Sequence, residues 1–142
     1  MKYLRGVLDT STVVRLHELE ESDLPEESLI TAITLAELSV GPLVADDAQI
    51  RADRQLHVQV AESSFGEPLP FDSDAARSFG EIAAQLRGAG RKSRARAFDA
   101  LIAATAKSAG LPVFTFNPAD FAGIAGLEVV PLPVQSSAQS TT

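Results

Sequence analysis

Three acidic residues stand out because their neighbours are apolar. Asp9 closes the run Gly6-Val7-Leu8 and is followed by Thr10-Ser11-Thr12. Glu37 lies in Ile33-Thr34-Leu35-Ala36-Glu37-Leu38, and Asp99 in Phe98-Asp99-Ala100-Leu101-Ile102-Ala103-Ala104. A fourth polar group, Thr115-Phe116-Asn117-Pro118-Ala119-Asp120-Phe121, follows another apolar run. Carboxylates brought together repel one another and lose hydration unless a cation compensates them. With no Cys and only two His, the cation suited to such a set is hard and oxygen-loving, Mg²⁺ or Mn²⁺. Such ions keep several waters and bind phosphate oxygens, which fits metal-assisted attack of water on a phosphodiester. Each acid also has a local role open to it. Asp9 can cap a helix starting near Thr10, and Thr34-Leu35-Ala36-Glu37 matches a capping box. Asp99 sits where a helix macrodipole favours negative charge, and Asp120 can cap a short turn. A cap can also line a site, so the two roles are compatible.

The elements that must position these acids follow from apolar periodicity and breakers. Tyr3 to Leu8 reads as a buried strand stopped by Asp9, with a helix over Val13 to Glu20. Glu20 to Glu27 is acidic and loop-like. Leu29 to Ile33 reads as a second strand, leading into a helix from Thr34 that is interrupted near Gly41-Pro42. Asp46 to Ser63 is a long amphipathic helix with Ile50, Leu56 and Val60 among its apolar positions. Glu67 to Phe71, with two prolines, reads as an edge strand. Asp72 to Arg87 is helical and ends at Gly88-Ala89-Gly90. Ala97 to Ala109 is helical and apolar on nearly every side, so deep burial is expected, with Gly110 as its stop. Pro112 to Phe116 is a strand, Asn117 to Asp120 a turn, and Leu127 to Val130 a last strand. Strands alternating with helices predict an α/β sandwich around a mostly parallel sheet of four or five strands. Ligands of such sheets bind at the carboxyl ends of the strands, where the polar residues above fall. The domain is expected over residues 1–133, with a Ser/Gln/Thr tail over 134–142 expected to be disordered.

Composition narrows the classes. The 142 residues are 45% hydrophobic and carry a net charge of −7, an ordinary globular balance that disfavours non-specific binding to nucleic acid. No apolar run is long enough for a membrane span and no signal peptide is evident, so a cytoplasmic location is expected. The charge is unevenly placed. Residues 1–83 hold 6 basic and 16 acidic side chains, whereas residues 84–142 hold 6 and 3. Arg87, Arg91, Lys92, Arg94 and Arg96 form a basic run without an acid that leads directly into the Asp99 helix. Such runs are often only solvated loops. Its position makes it the expected place for a polyanion contact, since guanidinium groups suit phosphate.

The order of these motifs resembles a PIN-domain ribonuclease. An Asp follows strand one, and Thr-x-x-Glu follows strand two. Phe-Asp-x-x-Ile-Ala-Ala-x-Ala lies on a late helix, before Thr-x-Asn-x-x-Asp-Phe. Length and spacing are similar to the VapC toxins of bacterial toxin–antitoxin pairs, over about residues 5 to 133. The resemblance implies a three-layer PIN-like, Rossmann-like sandwich and a Mg²⁺-dependent endoribonuclease leaving 5′-phosphate and 3′-hydroxyl ends. It implies that Asp9, Glu37 and Asp99 bind the metal, Glu37 directly or through its water. The fourth family position holds Asn117, an oxygen donor without charge, and Asp120 lies three residues on; both are expected in the outer coordination. Thr10, Ser11 and Thr115 resemble the family's carboxylate-orienting hydroxyls. The implied partners are an RNA substrate, a second copy of the chain, and a VapB-like antitoxin. A basic side chain of that antitoxin would pair with the acids and block the metal, with docking expected beside the helices from Val13 to Glu20 and Thr34 to Leu43.

Other readings fit less well. An aspartyl-phosphate phosphatase needs a second Asp two residues after Asp9, where Ser11 stands. A phospho-receiver needs an acidic pair where Leu8 stands. The alternative from another class is a catalytically weak PIN-like module acting through RNA or protein binding. His17 and His57 are expected on polar helix faces. Phe65, Phe71, Phe79, Phe98 and Phe114 are expected in the core rather than stacked on bases.

Overall fold

Val7 and Leu8 are consecutive and both have no exposed surface, yet they belong to different cores. Alternate residues of a strand point to opposite faces, so the sheet is covered on both sides, as all-parallel sheets are. The protein is described by a computed structural model over residues 2–88, 90 and 96–134. Four strands form the sheet: β1 (Arg5–Leu8), β2 (Glu27–Leu29), β3 (Val113–Thr115) and β4 (Val129–Pro131). Their order is β2-β1-β3-β4 and every pairing is parallel. The helices are α1 (Thr10–Val14), α2 (Ala32–Leu43), α3 (Ala48–Ser64), α4 (Ser73–Gly88) and α5 (Ala97–Ser108). On one face Val7 and Val113 pack with Ile82 and Leu86 of α4 and the alanine-rich side of α5. On the other, Leu8 and Phe114 pack with Val13 of α1, Leu38 of α2 and Ala61 of α3. This is the expected three-layer sandwich. The chain leaves β1 toward β2 on one side and later returns to β3 on the other. The polar residues following β1 and β3 therefore meet where the strand order reverses.

Several boundaries differ from the sequence expectation, each for a local reason. The second strand ends at Leu29, and Thr31 rather than Thr34 caps the next helix, its Oγ1 accepting from Thr34 N at 3.2 Å. The anticipated fifth strand is a single parallel bridge between Thr31 and Leu69. Leu69 N donates to the Ile30 carbonyl and its own carbonyl accepts from Ala32 N. Pro68 and Pro70 on either side have no N–H to extend the ladder. Pro42 lies within the last turn of α2 without breaking it, and Arg54 Nη1 of α3 satisfies the Gly41 carbonyl at 3.0 Å. The first helix is only five residues long and passes into a 3₁₀ turn at Leu16–Glu18. The acidic stretch after Glu20 is not all loop. It holds a 3₁₀ turn, Glu21–Asp23, closed by reciprocal Glu20 and Asp23 capping. Helix α5 ends as expected: Gly110 at φ +70° lets its N–H and that of Leu111 reach the Lys107 and Ala106 carbonyls. Among the described residues no helix is long and apolar enough to cross a membrane.

Gly6 shows how tightly β1 is packed. A Cβ there would run into the Phe114 ring, with Cδ1 at 2.7 Å, and would meet Pro25 at 3.3 Å. Phe114 is only 2% exposed and cannot swing away. Gly6→Ala is therefore expected to destabilise the fold by about 1–3 kcal/mol through overpacking, measured as a lower denaturant midpoint at unchanged slope.

Candidate metal and phosphodiester site

Asp9 is 4% exposed at the end of β1, where burial of a lone carboxylate would be costly. Four donors offset that cost. Its Oδ1 accepts from Thr12 N at 3.0 Å, from the Thr12 hydroxyl, and from Ser11 Oγ at 3.2 Å. Its Oδ2 accepts from Thr115 Oγ1 of β3 at 2.6 Å. A carboxylate offers about four lone-pair sites, and this distribution leaves Oδ2 with capacity for a cation. Thus Asp9 caps α1 and also faces the site. Thr12, which the sequence reading did not single out, bridges two elements: its one hydroxyl proton is shared between Asp9 Oδ1 and the Phe114 carbonyl, 3.2 Å away, tying α1 to β3. The available signal was its place three residues after an N-capping Asp.

Glu37 sits in the second turn of α2, because Thr31 is the cap, and so does not close a capping box with Thr34. It reaches instead across to α1, where Thr10 Oγ1 donates to Oε1 at 2.6 Å, and Thr10 and Thr34 hydroxyls lie 3.0 Å apart. Its pKa is raised, chiefly by burial; the Thr10 hydrogen bond opposes the shift and the Asp9 charge adds to it.

Asp99 lies half-buried in the first turn of α5. Burial, then the charges of Asp120, Asp9 and Glu37, lift its pKa to about 6, against a smaller opposing effect of Arg96. The helix macrodipole would favour the charged form by about 1–2 kcal/mol at a partly buried site, on the order of one pKa unit. Desolvation and three like charges therefore win. Asp120 belongs to this acidic set but is paired with Arg96 across 24 positions. Asn117 is exposed, and its backbone N–H donates to Thr115 Oγ1 at 2.9 Å.

The structure thus brings Asp9, Glu37, Asp99 and Asp120 into one electrostatic cluster, with Thr10, Ser11 and Thr115 bonded to its carboxylates. Among the described residues no three acidic or imidazole groups stand close enough to enclose an ion as placed, in keeping with their mutual repulsion. The donor set is nonetheless all oxygen, and its members are held in unfavourable charge, which suits a hard divalent cation. Of the basic run, Arg96 is committed to Asp120 rather than displayed outward, Arg87 is exposed on the last turn of α4, and Arg91, Lys92 and Arg94 lie outside the described residues, as do 135–142 of the tail. Two expectations are corrected. His57 is half-buried and lines an apolar groove with the exposed His17. Phe98 is exposed rather than in the core.

The PIN-domain family model matches residues 6–127, which span all four acids. The chain belongs to the PIN-domain family. Within it, this PIN domain is 40% identical over 131 residues to Ribonuclease VapC5 of Mycobacterium tuberculosis, covering 88% of this chain and 93% of that one. It is 33% identical over 135 residues to VapC ribonuclease Y4jK of Sinorhizobium fredii, covering 87% and 94%. The solved VapBC-5 toxin–antitoxin structure from M. tuberculosis superposes with a TM-score of 0.76 at 38% identity, covering 91% of this chain and 99% of that one.

The raised Asp99 pKa sets a direction for stability. A carboxyl whose pKa is higher in the folded chain binds its proton more tightly when folded. Stability is therefore lost as pH rises from 3.8 through about 6 and is not regained above it. In EDTA, Asp99→Asn is expected to melt a few degrees above the unsubstituted chain at pH 8. The gap should close as pH falls toward 4. Thermal melts across that range check it.

Proposed function

We propose that this PIN domain is the toxin of a type II toxin–antitoxin pair and acts as a Mg²⁺-dependent endoribonuclease in the cytoplasm. The observation that carries the proposal is the convergence of Asp9, Glu37, Asp99 and Asp120 where the parallel sheet reverses its order. The ribonuclease names of its relatives support it. Asp9 Oδ2 and Asp99 would hold the ion, with Mn²⁺ a substitute for Mg²⁺. Glu37 would hold it or orient a water, and Asn117 and Asp120 would complete the outer coordination. A divalent ion held there supplies neutralisation of phosphate charge and a more acidic water for in-line attack at phosphorus.

The residues of the chain do the remaining work. Thr12, Ser11 and Thr115 fix the Asp9 carboxylate without contributing charge, and Thr10 fixes Glu37. Asp99 must give up its proton before it can hold the ion, so ion affinity and cleavage are expected to rise with pH through about 6 and then level off. Asp9→Asn or Asp99→Asn is expected to lower Mg²⁺-supported cleavage of single-stranded RNA on the order of 100-fold or more, with the fold intact by circular dichroism. Cleavage undiminished by Asp99→Asn, or undiminished in EDTA, would favour the non-catalytic module.

The basic run is proposed to track the RNA backbone. Replacing Arg91, Lys92 and Arg94 with Ala is expected to flatten the salt dependence of binding. Each lost phosphate contact lowers the slope of log K against log salt by about 0.7. An unchanged slope would return the run to a solvated loop.

The proposed partner is a VapB-like antitoxin that places a basic side chain among the acids. An apolar groove of about 550 Å³, lined by Val13, Val14, Leu16, Leu56 and Val60 with His17 and His57, supports docking beside α1. Expression of the chain alone should degrade RNA and arrest growth, and co-expression with its operon neighbour should restore both.

A further inference from the structure

Seven phenylalanines occur in the chain, and six of them have a packing role. Phe65, Phe114 and Phe116 lie in the core over α1–α3, and Phe121, Phe71 and Phe79 in or against the core under α4 and α5. Phe98 belongs to neither and is 48% exposed. Its helical position explains why sequence pattern misplaces it. It stands four residues before Ile102, on the stripe that is buried further along α5, yet Ala97 and Phe98 are exposed while Ala100 and Ile102 are buried. The first turn of α5 therefore projects past the core at the end of the sheet where the acids converge. A single exposed apolar residue is common and by itself means little. This one immediately precedes Asp99, so its Cα lies about 3.8 Å from that of the proposed ion-holding residue. Successive helical residues point about 100° apart, so the ring lies on the neighbouring, exposed face of the same first turn. The turn is anchored, because Arg96, two residues earlier, is paired with Asp120.

We propose that Phe98 is the stacking platform for the base of a nucleotide adjoining the scissile phosphate, and so helps position single-stranded RNA at the acids. The inference rests on the ribonuclease reading and deepens it. Unpaired bases are recognised by stacking on aromatic faces, and every base offers one. A flat ring beside the acid cluster holds a strand in register while the phosphate reaches the carboxylates. It also selects unpaired RNA over duplex, whose bases are already stacked.

The test compares Phe98→Ala, Phe98→Leu and Phe98→Tyr. Binding is read in EDTA by quenching of a single-stranded RNA oligonucleotide containing 2-aminopurine, so that it does not depend on cleavage. Cleavage of single-stranded RNA is read separately with Mg²⁺. Phe98→Ala and Phe98→Leu are expected to weaken binding on the order of tenfold and to lose the quenching. Phe98→Tyr is expected to keep both. In cleavage, KM should rise for Ala and Leu with kcat little changed, as for loss of uniform binding. A leucine variant equal to the unsubstituted chain overturns the proposal, because apolar area rather than an aromatic face would then suffice. So does an alanine variant whose RNA binding is unchanged while its sedimentation state, or its capture by the operon-neighbour protein, is altered; Phe98 would then be a protein contact. Quenching that depends on Phe98 in a chain that does not cleave sustains the platform and fails the nuclease reading. Cleavage indifferent to Phe98 does the reverse.

Discussion

Repulsion among carboxylates at one end of a parallel sheet governs how this chain is built. A buried acid is tolerated only when its lone pairs are satisfied, and among the described residues the donors to Asp9 are all neutral: two hydroxyls and a backbone N–H on its own helix start, and a hydroxyl from β3. Cationic partners would have cancelled its negative charge. Among the described residues the cation that acts on the cluster, Arg96, is paired with Asp120 at the margin, so it moderates Asp99 without neutralising it. The short α1, the Thr12 link to the Phe114 carbonyl and the close packing of Gly6 under the Phe114 ring all serve the same end. They hold the end of β1 against β3 so that Thr115 of β3 reaches the carboxylate of Asp9, the residue that follows β1.

Much of this was legible in the residue pattern because it depends on local chemistry. Asp9 after an apolar run, Asp99 at the head of an alanine-rich helix and the Gly110 stop are each set by a few adjacent residues. The layer order follows from strands alternating with helices. What pattern misplaced depends on partners distant in sequence. Thr34-Leu35-Ala36-Glu37 has the spacing of a capping box, but the cap falls at Thr31 because Ile30 and Ala32 are pinned by Leu69. Glu37 is thereby free to reach Thr10. Phe98 obeys the helical period of the core and still lies outside it, since periodicity reports a face and not where the opposing layer ends. The pairing of Arg96 with Asp120 joins residues 24 positions apart, which no short-range signal encodes.

The same distinction separates the two faces of α5. Small side chains, Ala100, Ala103, Ala104 and Ala106, are buried in the core under α4 and let the two helices settle closely together. Close settling brings Asp99 out of bulk water, and burial is the largest cause of its raised pKa. Packing chosen for one face thus sets the protonation behaviour at the helix end, a coupling of core volume to site chemistry that a change from alanine to a bulkier residue would disturb without touching an acid.

The outer strands have a consequence of another kind. An open sheet with two long free borders invites a second chain to add to it, and this sheet has borders of only three residues, Glu27–Leu29 and Val129–Pro131. One begins with a charged residue and the other ends with a proline, and next to the first the chain lays Leu69 between two prolines against Thr31. Short, charged or proline-bearing borders discourage intermolecular strand addition. The molecule can therefore present its acidic strand-end surface to other molecules while the borders of its sheet discourage strand addition.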